Sequence, residues 1–294
     1  MSSSAGLNHS PLTADAYNSL PHIDNVKELS NRQMHARDKL LHLINSHGLV
    51  NVFSIHLIHK HFNVAEGRVM VYETVKGTKH PDFQMCSPRI PSECQNLKGL
   101  FFRVSDGGQL AAYEYTTDPV VDVSACGTFF GDISTLMMAL GVQDLFALTL
   151  KRVEPAANLL EFEISDLTST ILIPDLSGNQ DGGNSRPTDW SFISPEVRND
   201  EIDNQILVTK NRQDEELFCI AGTYVAGQDS THPVAAGTVR CTVTRSGYHH
   251  EVITKGNGKI FINGQLIEKE SAICEIITHA QRLISPNPGV AVAA

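Results

Sequence analysis

The residues best suited to chemistry lie in one short segment, HLIHKHF, which carries His56, His59 and His61 and is followed by Glu66. In an extended chain successive side chains alternate, so His59 and His61 share a face while His56 points the other way. Glu66 lies beyond an expected turn and folds back toward the pair, giving two imidazoles and one carboxylate. That set serves iron(II) centres with open coordination positions and also accommodates manganese, zinc or copper. Without a metal the same rings serve as general acid or base, because an ordinary imidazole titrates near neutral pH. The plain structural alternative is three half-buried rings bonded to backbone or to neighbouring acids.

The spacing of His59, His61 and Glu66, HxHxxxxE, resembles the first metal-binding motif of the cupins, small barrels of antiparallel strands. The resemblance covers eight residues of 294 and implies these three side chains as ligands. The flanking glycines of the motif are replaced by Phe53 and Glu73, and no second motif follows. A second group, His249 and His250 with His232, Cys219 and Cys241, offers one ring to complete a three-histidine site with His59 and His61. Adjacent strand residues face opposite ways, so at most one of His249 and His250 serves. The separations of 12, 8 and 7 residues between Cys219, His232, Cys241 and His249 match no compact zinc module. His80 and Asp82 read as a solvated turn, and His279, four residues after Glu275, as a surface helix pair.

Searches for other chemistry return nothing. There is no GxGxxG after a strand and no GxxxxGK[ST], so nucleotide-phosphate loops lack support. Neither a GxSxG elbow nor an HExxH helix occurs. Cys86 or Cys126 as a nucleophile has no local signature.

The elements that must position these residues read as α+β, with a mainly antiparallel sheet and helices at the N-terminus, in the middle and at the C-terminus. Residues 1 to 23, rich in Ser, Asn and Pro, read as a mobile arm. Helical spacing runs from Asn25 to Ser46, with Asn25 and Glu28 as a capping box and Gly48 as the stop. The stretches VNVFSIHLIHKHF and RVMVYETV read as a hairpin, and residues 77 to 97 as a long loop. KGLFFRVS and QLAAYEYT flank Asp106, Gly107 and Gly108, a second hairpin. A short helix at Gly131 to Leu140, strands DLFALTLKR and LLEFEIS, and a final amphipathic helix from Ile267 to Ile284 complete the outline. The polar stretch 175 to 214 reads as a connection between lobes 24 to 174 and 215 to 294, or as part of one domain, with Trp190 pinning it to the body.

The chain carries 23 basic and 33 acidic residues, a formal charge of −10, with no basic run. Polyanions are poor partners for such a surface, which argues against nucleic acid and anionic membranes. No stretch approaches the roughly 18 apolar residues of a spanning helix, and the first residues lack the features of a signal peptide. Six scattered cysteines fit reduced thiols in a cytoplasmic setting. The expectation is a small-molecule enzyme with a histidine-based metal site, oxidative rather than hydrolytic. One alternative is a metal-free lyase, isomerase or hydrolase using histidine acid/base catalysis. Another is a non-catalytic binding or assembly protein. Substrate and oligomeric state do not follow from the sequence.

Overall fold

The structure is a computed structural model that describes residues 6–77, 82–152, 159–164, 168–174, 185–191, 239–242, 252–254, 260–262, 265–266 and 272–284. Helices and a mixed, strongly curled sheet are both present, as an α+β chain requires. The first strands are β1 (Leu7–Asn8), β2 (Phe53–Leu57), β3 (Val69–Val75), β4 (Phe83–Arg89), β5 (Lys98–Val104) and β6 (Leu110–Thr116). They are followed by β7 (Phe146–Leu150), β8 (Leu159–Ile164), β9 (Ser169–Pro174), β10 (Ser185–Pro187), β11 (Asp189–Trp190) and β12 (Val239–Thr242). These pair in the order β10-β12-β8-β9-β4-β3-β6-β5-β7-β2-β11, with β1 alongside β6. A separate small sheet holds β13 (Val252–Thr254), β14 (Ile260–Ile262) and β15 (Gln265–Leu266).

The helices are α1 (Ala14–Asn18), α2 (Asn31–Ser46), α3 (Phe129–Leu140) and α4 (Ala272–Ile284). Alternation along β2 explains how α2 and α3 meet the sheet. Phe53, Ile55 and Leu57 join the aliphatic core that includes Leu40, Leu41 and Ile44 of α2 and Phe129 and Ile133 of α3. The other face of the sheet is lined by a second core containing Tyr72, Cys86, Phe101 and Tyr113, against which Ala14, Tyr17 and Leu20 pack.

Several local expectations change. The first 23 residues are not an arm where they are described. Leu7 and Asn8 pair with β6, Leu7 packs against the first core, Ala14, Tyr17 and Leu20 are buried in the second, and Ile23 is buried as well. The long helix starts at Asn31, not Asn25. Ser30 and Gln33 form the capping box, and Ile23–Asn25 is a single 3₁₀ turn. Strand β2 pairs with β7 and β11 instead of forming a hairpin with β3. Within the expected loop 77 to 97, Phe83–Arg89 is a full strand between β3 and β9, since Phe83, Met85 and Ser87 alternate into buried positions. The β5–β6 hairpin and the helix ending at Gly141, whose φ is 66°, are present as expected. Trp190 is buried on β11, and β12 pairs with β8, so strands from both sides of the polar stretch share one sheet.

The β5–β6 pairing shifts register between Gly99 and Phe102. That bulge places Phe101 and Tyr113 in the second core and turns Glu114 toward it. It depends on Gly99: a Cβ there would lie 2.5 Å from the Ala112 Cβ and 2.7 Å from the Phe102 ring. Gly99→Ala is therefore expected to cost about 1–3 kcal/mol, read as a lower denaturant midpoint at unchanged slope.

Candidate metal centre

His59 and His61 do sit side by side, though not on a strand. Strand β2 ends at Leu57, and the chain then passes along the second core, to which Ile58 and Val64 belong, held by Ile58 N–H to the Leu145 carbonyl at 2.9 Å and Lys60 N–H to the Pro21 carbonyl at 2.9 Å. The N-terminal segment fixes this passage. The His22 ring donates from Nε2 to the His61 carbonyl at 2.7 Å, and Asn18 exchanges two bonds with the Val64 backbone at 2.8 and 3.0 Å. The passage carries both rings to β8, on the far side of the curl, where Glu161 and Glu163 point inward.

The hydrogen bonds settle which ring atoms are presented. A carbonyl only accepts, so the 2.7 Å contact between His59 Nδ1 and the Leu57 carbonyl puts the proton on Nδ1 and turns the Nε2 lone pair inward. His61 Nδ1 is 3.0 Å from Glu163 Oε1, again a donor facing an acceptor. The two Nε2 atoms then face each other at 3.2 Å, and Glu161 Oε2 is 3.1 Å from His61 Nε2. The Thr170 hydroxyl orients Glu161 by donating to Oε1 at 2.9 Å. Ligand atoms of His59, His61 and Glu161 lie within 4.8 Å of one another, and all three residues are buried.

Those separations have a chemical meaning. Two donor atoms each about 2.1 Å from one ion and subtending about 100° lie about 3.2 Å apart, so both close contacts have the length of a ligand-to-ligand edge. Glu163 behind His61 and the Leu57 carbonyl behind His59 fix the orientation of the two rings, as outer partners would do for imidazoles holding a metal.

Of the residues singled out from sequence, His59 and His61 are brought together. Glu66 is exposed at the turn before β3 and is outside the group, because Val64 turns inward and directs the intervening chain to the surface. Glu161 stands in its place, completing with His59 and His61 a group that could hold a metal ion. His249, His250 and His80 lie outside the described residues, as do the side chains of Cys219 and Cys241. His56 does not point away: its ring stacks on His59 at 5.1 Å and lies tilted against Phe101 at 4.2 Å, since the end of β2 breaks the parity between positions 56 and 59. Asp189 on β11 faces it across the ladder, with Oδ2 3.6 Å from His56 Nδ1, and is held by the Thr149 hydroxyl at 2.8 Å. Glu114 completes the polar interior, accepting from Tyr17 at 2.8 Å and Tyr72 at 3.1 Å. Compared with known families, curated proteins and solved structures, the chain matches none.

Burial, followed by the neighbouring His61 and His56, holds His59 well below the ordinary imidazole value of 6.5. The ring thus stays neutral, with its lone pair available, in mildly acid solution. Between its folded and unfolded values the unfolded chain binds the proton more readily, so this contribution to stability is complete above 6.5 and is lost as pH falls below it. Chelated protein is expected to lose stability on going from pH 7 toward pH 5, and His59→Gln to flatten that slope, as measured by denaturant midpoints across pH. An unchanged slope in the variant would contradict the assignment.

Proposed function

We propose that this chain is a metal-dependent enzyme acting on a small molecule, oxidative rather than hydrolytic, with His59, His61 and Glu161 as protein ligands. The observation that carries this is the facing of two Nε2 lone pairs and a carboxylate oxygen at contact distances in a buried site. Two histidines and one carboxylate suit iron(II) above all, and also manganese, copper or zinc, leaving coordination positions for substrate and oxygen. The bound ion supplies charge stabilisation and a place for dioxygen, while the rings of Phe101 and Tyr72 keep the surroundings dry. The same reading keeps the sheet mainly antiparallel and flanked by helices, in a reducing, cytoplasmic setting. Cys86, Cys94 and Cys126 are free thiols, as a reducing setting expects; no helix of the described residues is long and apolar enough to cross a membrane.

A second reading rests on one specific feature. His61 faces a carboxylate from each ring nitrogen, Glu163 at Nδ1 and Glu161 at Nε2, which is also how an imidazolium is held. In that form the site would do proton chemistry without a metal.

Elemental analysis of the purified protein, then anaerobic titration of chelated protein with iron(II), separates the two. The metal reading expects one equivalent bound and a loss of at least about 100-fold in affinity for His59→Ala with His61→Ala. Glu163→Gln, which touches only the outer partner, is expected to cost about 10–100-fold. Absence of stoichiometric metal, together with a double variant that binds iron, copper or zinc as the parent does, would remove the metal reading. Activity insensitive to chelator, with a pH–rate profile following a single histidine, would select the second.

A further inference from the structure

An uninterrupted file of aromatic rings leads away from the candidate ligands. The His61 ring lies 4.9 Å from His59, His59 lies 5.1 Å from His56, and His56 lies 4.2 Å from Phe101. Phe101 in turn lies 5.6 Å from Tyr72. The file ends on a hydrogen bond, the Tyr72 hydroxyl donating to Glu114 Oε2 at 3.1 Å. Both residues are buried, and Glu114 also accepts from Tyr17 at 2.8 Å. A carboxylate held between two phenols in the interior of a sheet is costly, and it makes no contribution to the ligand set.

We propose that Tyr72 is a one-electron donor to the metal centre, passing its electron along Phe101, His56 and His59 and its phenolic proton to Glu114. This deepens the metal reading and rests on it. The Tyr72 O–H bond breaks, the proton forms the carboxyl O–H of Glu114, and the electron lowers by one the oxidation state of an ion first raised by dioxygen or hydrogen peroxide. The products are a neutral phenoxyl radical, a protonated Glu114 and the reduced ion. A phenol oxidised in a dry interior must shed its proton in the same event, so it needs an acceptor already in hydrogen-bond contact.

The surroundings favour coupled loss. Burial, then Cys86 and Glu114, push the Tyr72 hydroxyl well above its ordinary value, so it does not ionise first. Burial also raises Glu114, which makes it a better acceptor. The Arg152 guanidinium lies 5.9 Å from the Tyr72 ring centroid and disfavours a positively charged ring, so electron and proton leave together. Tyr113 is the internal comparison. Its ring lies 6.0 Å from Phe101, but among the described residues its buried hydroxyl has no hydrogen-bond partner to take the proton.

The test is electron paramagnetic resonance of iron-loaded protein frozen after brief exposure to hydrogen peroxide, with and without ring-deuterated tyrosine. A tyrosyl signal that narrows on deuteration is expected in the parent and in Tyr113→Phe, and at least tenfold less of it in Tyr72→Phe at equal iron content. Glu114→Gln keeps the phenol and removes the acceptor, with the same loss expected, and it decides the matter if Tyr72→Phe does not fold. An iron-loaded parent without a tyrosyl signal, or a signal that survives in Tyr72→Phe or Glu114→Gln, overturns the relay and leaves the metal site standing. A parent that binds no iron overturns both.

Discussion

Three electron-rich atoms, His59 Nε2, His61 Nε2 and a Glu161 oxygen, meet inside a sheet that shields them from water. With both rings neutral their lone pairs repel, and the low dielectric of the interior strengthens that repulsion. On the proposed reading a cation among them would reverse the sign of the interaction, and the local architecture holds the three atoms where such an ion would sit. The curl of the sheet brings β8 opposite the segment leaving β2, and the N-terminal segment clamps that segment at His61, Lys60 and Val64. The bonds to Leu57 and Glu163 leave neither ring free to turn its Nδ1 inward.

The two faces of the sheet divide the labour. One is packed with aliphatic and aromatic side chains from α2 and α3 and resembles the core of any α+β protein. The other holds His56, His59, His61, Glu114, Glu161 and Asp189, all buried. Charged and polar groups in such a place are destabilising unless each is bonded, and here they are bonded largely to one another. On the proposed reading, an ion bound only by the folded state would offset that cost and couple metal binding to folding.

How much of this could be read in advance depends on the range of the interaction. The pairing of His59 with His61 was legible because they are two residues apart on either side of Lys60, which is bridged to His22. His56 was placed on the wrong side because alternation holds only while a strand lasts, and β2 ends at Leu57. Glu161 was not found. It is about a hundred positions away, and in LLEFEIS the two acids at alternate positions have the pattern of a solvent-facing strand edge. Nothing local reveals that this side faces inward, but two carboxylates on one face of a strand, in a chain with a histidine cluster, were the available signal. The N-terminal segment shows the opposite case: its composition is polar, yet Ala14, Tyr17 and Leu20 are part of the second core.

X-ray absorption at the edge of the metal bound to the chelated and reloaded protein tests the central claim most directly, because it counts imidazoles without assuming a reaction. A first shell of nitrogen and oxygen at about 2.0–2.2 Å with the multiple-scattering pattern of two histidine rings is expected. A sulfur-containing shell, or a nitrogen and oxygen shell without two imidazoles, would contradict it.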